Sequence, residues 1–223
     1  MMRIYLKEFQ DSVNCTSLLF TSKESFVRVS HEFASGNVYG FASDFGCGGW
    51  GLVTCIGGRC VQPCGNVFLN GQIVACDTLA KHSLFISENL YNGLNSMEDY
   101  LTPKKCIERA LQISQLPYTS DEIRNIFYLS GSEERFERDL QYVGIEIWRI
   151  SMAIGFAYGK EIFCFPWLNE RDLNYFEVMY KQNIIHFLKE QGKIVLVPSS
   201  QKKFLLKSCD EVLVFDKDKI TIK

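Results

Sequence analysis

The stretch Val38–Leu52, VYGFASDFGCGGWGL, decides how the rest of this sequence is read. A short β-forming run, Val38–Phe41, enters a loop carrying Gly46, Gly48, Gly49 and Gly51, and the apolar Leu52–Ile56 follows with the character of a helix. A strand passing through a glycine-rich loop into a helix is the layout in which backbone N–H groups and a helix N-terminus surround an anion. The complete phosphate-loop pattern is G-x-x-x-x-G-K-[ST]. In that register Ser43 stands at the first glycine, Gly48 at the second, Gly49 at the lysine and Trp50 at the hydroxyl residue. The loop keeps the second glycine of the pattern and lacks the first, the cation and the metal ligand.

Outward from this stretch, the composition changes along the chain. Residues 1–76 are strand-like and hold 10 of the 16 glycines. Short β runs are predicted at Leu18–Phe20, Phe26–Val29 and Val67–Leu69, and the turns at Gly36 and at Asn70-Gly71 carry hairpin chemistry. From about residue 102 the period becomes helical. Thr102-Pro103 is an N-cap followed by proline at the first helical position, opening a helix over Pro103–Ser114. Further helices are predicted over Asp121–Tyr128, capped by Thr119 or Ser120, over Glu133–Tyr142 and over Glu146–Tyr158. A buried strand at Glu161–Phe165, one long amphipathic helix at Glu170–Glu190 and a second buried strand at Lys193–Val197 form a β-α-β unit, which implies a parallel sheet. Val212–Phe215 and Ile220–Ile222 read as a closing hairpin.

The 223 residues carry 24 Lys+Arg against 26 Asp+Glu, a net charge of −2, and 47% of them are hydrophobic. Such a chain buries a sizeable core and has no basic footprint for nucleic acid. No apolar run is long enough to span a bilayer. The N-terminal MMRIYLKEFQ has no apolar core of a signal peptide, so a cytoplasmic chain is expected. Nine cysteines, an odd number, argue against a disulfide framework. The gaps between Cys55, Cys60 and Cys64, with Cys76 beyond, do not match paired C-x2-C zinc knuckles, so reduced thiols are expected and no metal site is assigned. Ser199-Ser200 and the dispersed His31, His82 and His186 make no hydrolase triad.

The flanks of the loop bring a family into view. Gly36-Asn37-Val38 before it and Gly65-Asn66-Val67-Phe68-Leu69-Asn70-Gly71 after it resemble the strands that border the nucleotide-binding loop of ABC transporter ATP-binding domains. The likeness continues in family order. Tyr142–Arg149 (YVGIEIWR) lies where the signature belongs, Ile162–Trp167 at the Walker B strand, Ile194–Ser200 at the switch strand, and Cys209–Phe215 near the domain's end. A second signature-like segment, Leu129-Ser130-Gly131-Ser132, lies too far from the Walker B strand and reads as a loop and helix cap. The resemblance implies one P-loop-type α/β domain over 1–223, with a mixed-sheet core, an antiparallel β subdomain and a helical subdomain at about 89–160.

It also implies where the chemistry should be, and those positions are altered. Gly49 and Trp50 replace the phosphate-binding lysine and the Mg²⁺-binding hydroxyl; an indole is a donor only. Pro166 and Trp167 stand at the metal-binding aspartate and catalytic glutamate. Val143, Gly144, Ile145 and Glu146 occupy the signature, Ser87 or Glu88 the Q-loop, and Ser199 or Ser200 the switch histidine. Phosphoryl transfer rests on positioning and charge neutralisation, so the resemblance implies a subunit whose ATP hydrolysis is lost, with no resident cofactor. Its expected partners are a membrane subunit and a second nucleotide-binding domain, which would hold it at the inner membrane face. Two other readings differ in class: a divergent but active ATPase using Mg-ATP, and a small cysteine-cluster metal protein. The two indoles are expected to lie near each other and to fill space beside the loop.

Overall fold

The computed structural model describes residues 1–16, 21–60, 63–86, 102–129, 136–137, 140, 146–216 and 219–223. The chain divides into two compact units, Met1–Phe85 with Glu161–Lys223, and Ile86–Lys160.

The first unit carries two sheets. Strands β1 (Arg3–Thr16) and β2 (Thr21–Ala34) form a long antiparallel ribbon, joined by β4 (Cys64–Leu69) and β5 (Gln72–Val74) in the order β2-β1-β4-β5. The second sheet has six strands in the order β10-β9-β3-β8-β7-β6, with β3 at Val38–Ala42, β6 at Ser83–Phe85, β7 at Ile162–Cys164, β8 at Ile194–Ser199, β9 at Glu211–Asp216 and β10 at Lys219–Ile222. All its pairings are parallel except β9 with β10. Strands β3, β7 and β8 are buried at every residue, as expected for parallel strands covered on both faces.

Helix α1 (Gly49–Ile56) lies between the sheets, touching β1 and β2 of one and β3 and β8 of the other. Its eight residues, GWGLVTCI, are all buried, because the segment has no polar face to turn toward water. Trp50, Leu52, Val53 and Ile56 enter a core that also holds Phe9, Phe26, Phe33 and Phe41.

In the second unit, α2 (Pro103–Ser114) starts where the Thr102 cap places it; the Thr102 hydroxyl accepts from the Lys105 N–H at 3.2 Å. Helix α3 (Ser120–Ile126) opens on a reciprocal capping box between Thr119 and Glu122. Helix α4 (Ile147–Ala157) packs Phe156 against Phe127 and Tyr118 at centroid distances of 5.8 and 5.4 Å. The helix expected over Glu133–Tyr142 and the strand expected at Leu18–Phe20 lie outside the described residues, apart from isolated positions of the former.

Three expectations are corrected, and two elements were not foreseen. Gly36 (φ 82°) does not close a hairpin: β2 and β3 on either side of it belong to different sheets. A positive φ permits a sharp turn without fixing its destination, whereas Asn70 and Gly71 (φ 51° and 84°) do close the β4–β5 hairpin. The long helix at 170–190 is two, α5 (Glu170–Lys181) and α6 (Ile184–Glu190), broken by Asn183 in the left-handed region at φ 63°. Asn tolerates that conformation, and the 3.6-residue apolar period survives across the break, which hides it from pattern reading. Helix α7 (Lys202–Ser208) and a 3-10 turn at Cys76–Lys81 were not anticipated. Finally, Cys60 and Cys76 are joined by a disulfide, their Cα atoms 6.3 Å apart; the other seven cysteines are free. The turn after β5 brings Cys76 beside the end of α1, a tertiary approach that sequence spacing does not encode.

Among the described residues, no helix is long and apolar enough to cross a membrane.

Candidate functional site

Strand β3 delivers the loop. Ala42 pairs with Ser199 of β8, and the Ser43 N–H donates to the Ser199 carbonyl at 3.1 Å, so the loop leaves from the C-terminal edge of the sheet. In open parallel sheets this edge is where ligands bind. A turn closed by Cys47 N–H to the Asp44 carbonyl (3.1 Å) then leads to Gly48, at φ 94°, which starts α1 by accepting from the Leu52 N–H at 2.9 Å. The strand–loop–helix layout is therefore present, and Gly49, which the sequence register aligns with the lysine of the pattern, is the first helical residue.

The loop's N–H groups do converge on an anion. It is a carboxylate of the same chain. The Gly46 N–H donates to Glu24 Oε1 and the Gly48 N–H to Glu24 Oε2, each at 2.7 Å, and the Ser22 hydroxyl donates to Oε1 at 3.1 Å. Glu24 lies on β2 opposite Val13 of β1 and is 0% exposed. Along this end of β2 the side chains of Ser22, Glu24 and Phe26 face inward in strict alternation. Sequence reading missed Glu24. The only trace it left was a charged residue at an inward position, visible once the strand's facing is known.

The glycines serve this approach of β2. A Cβ on Gly48 would come within 2.5 Å of the Ser25 carbonyl oxygen and 2.6 Å of Phe26 Cβ, and one on Gly51 within 2.7 Å of Glu24 Cβ. At Gly49 an added Cβ would overlap Ser43 Oγ. That hydroxyl is buried and without a hydrogen-bond partner among the described residues.

Trp50 is 1% exposed and belongs to the core. Trp167 is half-buried, and Phe45 stands between the two indoles, its centroid 6.0 Å from Trp50 and 5.3 Å from Trp167. The rings thus form an aromatic group beside the loop with Phe45 in the middle. Phe165, just before Pro166, is fully buried. Ser199, one of the two residues expected at the switch position, is 0% exposed; its hydroxyl donates to the Leu168 carbonyl at 2.7 Å and accepts from the Gln201 N–H at 3.1 Å. It ties the end of β8 to the segment after β7. Ser200 is half-buried next to it. Of the signature positions only Glu146 lies within the described residues, at the start of α4; Val143, Gly144 and Ile145, like Ser87 and Glu88, lie outside them.

Beside the loop, a cleft of about 550 Å³ is lined by residues including Asp44, Asp216, Cys47 and Phe26, with no lysine or arginine among the described residues. Two carboxylates at its wall make it a poor seat for a polyphosphate. Near the far end of α1, donor atoms of Asp11, Cys55 and Cys60 lie within 4.8 Å of one another. Cys60 is committed to the disulfide, and burial together with Asp11 pushes the Cys55 thiol far above its usual range, which opposes the thiolate a metal requires.

No protein-family model matches the sequence, and no curated protein matches it. Solved structures do match in fold. A Pyrococcus furiosus protein assigned as an ABC transporter ATP-binding protein aligns with a TM-score of 0.66 at 16% identity, over 97% of this chain and 99% of that one. CbiO1 of Clostridium perfringens, part of the ABC transporter complex CbiONQ, aligns at 0.65 and 14%, over 98% of this chain and 86% of its own. The ATP-binding subunit of another ABC transporter aligns at 0.65 and 13%, over 99% and 89%. The chain has the ABC ATPase domain fold, a P-loop-type α/β architecture with an added antiparallel sheet.

Proposed function

We propose that this chain is a catalytically degenerate ABC-type ATP-binding subunit, 1–223 forming one such domain with its helical part at about 89–160, and that it works by association. The observation that carries the reading is at Gly49. The lysine position has no side chain, and Ser43 Oγ lies where one would begin, so the cation is absent and its space is taken. Trp50, Pro166 and Trp167 supply no metal ligand and no base, and Ser199 spends its hydroxyl within the fold. Neither nucleotide nor Mg²⁺ is a resident cofactor in this reading.

The partners that fit are an ABC-type membrane subunit and a second ATP-binding-type domain, a copy of this chain or a relative. CbiO1, which shares the fold, is part of a transporter complex, and that supports the assignment. Such a partner would hold the chain on the cytoplasmic face of a membrane. The test is twofold. Purified protein hydrolyses no Mg-ATP above background, and its oligomeric state is the same with and without Mg-ATP. A turnover rate that survives repeated purification, or a nucleotide-driven dimer, returns the active-ATPase reading to first place.

A further inference from the structure

Glu24 satisfies the loop in the way a bound phosphate would. Its two oxygens each take one backbone N–H at 2.7 Å, at the N-terminus of α1, with no solvent exposure and no lysine or arginine ion-paired to it among the described residues. A buried carboxylate is costly unless its lone pairs are filled. Here Gly46, Gly48 and the Ser22 hydroxyl supply three donors to its two oxygens, and the positive end of the α1 dipole stabilises the charge. Gly48 and Gly51 have no Cβ at the two places where β2 comes closest. Loop and strand are fitted to one another.

We propose that the glycine-rich loop remains an oxyanion site whose resident ligand is the chain's own Glu24, an internal phosphate surrogate that clasps the β1–β2 ribbon to α1 and keeps small oxyanions and nucleotide phosphates out. The inference rests on reading the loop as a degenerate phosphate loop and adds what now occupies it. The ligand class is a small monoanionic oxyanion: the cradle offers two N–H donors and one hydroxyl, with carboxylates of Asp44 and Asp216 in the neighbouring cleft to repel higher charge. Glu24 is consequently the residue that decides specificity at this site, by filling it.

The decisive experiment is chemical rescue. Glu24→Ala removes the group beyond Cβ, which is acetate in size and charge. Losing three hydrogen bonds to a carboxylate should lower the melting temperature by about 5–10 °C. Added acetate should restore much of that in the variant and, against a chloride control at equal ionic strength, do nothing for the wild type. Inorganic phosphate should act on the variant more weakly than acetate. In the wild type, the amide resonances of Gly46 and Gly48 should exchange slowly with solvent and stay unmoved by millimolar pyrophosphate. This holds whether or not the variant folds. Loss of stability with no acetate response, or a wild type whose Gly46 and Gly48 amides shift with pyrophosphate, overturns the proposal. Those outcomes leave the proposed function standing, because that falls only on ATP turnover or nucleotide-driven assembly.

Discussion

The hydroxyl oxygen of Ser43 occupies the volume in which a Cβ at residue 49 would sit, and residue 49 is glycine. In the phosphate-loop pattern the first position is glycine and the seventh lysine; here the side chain has changed places. A large residue at 49 requires a small one at 43, so the two positions are sterically coupled across the loop.

That coupling predicts a non-additive pair. Gly49→Ala alone should destabilise the protein by about 1–3 kcal/mol, the usual cost of overpacking. Combined with Ser43→Gly it should cost distinctly less, measured as a coupling energy in a urea-unfolding double-mutant cycle. Additive effects would mean the two residues do not share the space. Gly49→Lys, with or without Ser43→Gly, should confer no ATPase activity, because Trp50, Pro166 and Trp167 still offer no metal ligand or base.

Ser199, one of the two residues the sequence aligned with the switch histidine, has a structural task. Its hydroxyl bridges Leu168 and Gln201 in full burial. Ser199→Ala leaves the Gln201 N–H without that acceptor and should cost about 1–3 kcal/mol, the penalty for orphaning buried polar groups. Ser200→Ala, at a half-buried site, should cost far less. Equal effects in denaturant unfolding would count against this role.

The cysteines should sort by burial. Cys47 and Cys64 are exposed, whereas Cys15, Cys55, Cys106 and Cys164 are buried free thiols. Burial raises the Cys106 thiol to about 11 and moves Cys55 further still, so both stay protonated and unreactive at neutral pH. Mass spectrometry after brief alkylation of native protein should find label at Cys47 and Cys64 first. Reducing Cys60–Cys76, which closes a loop of sequence separation 16, should destabilise the fold by about 3 kcal/mol. Early labelling of Cys55 would contradict the assigned packing.

His31 makes the fold acid-sensitive. Burial lowers its pKa from the usual value, against the opposing pull of Glu211, whose Oε1 is 3.2 Å from Nε2, and of Glu32. The unfolded chain therefore binds more protons at this residue than the folded one. Stability contributed by the neutral ring is present above about pH 6.5 and declines as pH falls through that value toward the lowered folded pKa. His31→Phe, which can keep the edge contact with Phe33, should flatten this part of the profile between about pH 7.5 and 5.5. Parallel stability profiles for variant and wild type would refute it.

The sequence by itself determined what depends on neighbours along the chain. The cap of α2 at Thr102 was readable, and that of α3 was narrowed to Thr119 or Ser120, because capping is chemistry over three or four residues. The passage from β3 through the loop to α1 was readable from glycine spacing. The β-α-β unit followed from two apolar runs around an amphipathic one. Only the tertiary structure decided what those elements meet: the sheet that follows Gly36, the approach of Cys60 to Cys76, the Ser43–Gly49 exchange, and the seating of Glu24 on a loop more than twenty residues away. The reason is physical. A helix cap or turn is set by torsions and hydrogen bonds within one local segment. The occupant of the cradle is set by the register and bulges of the β1–β2 ribbon, which carry a carboxylate to backbone donors that, in the sequence, look equally ready for any anion.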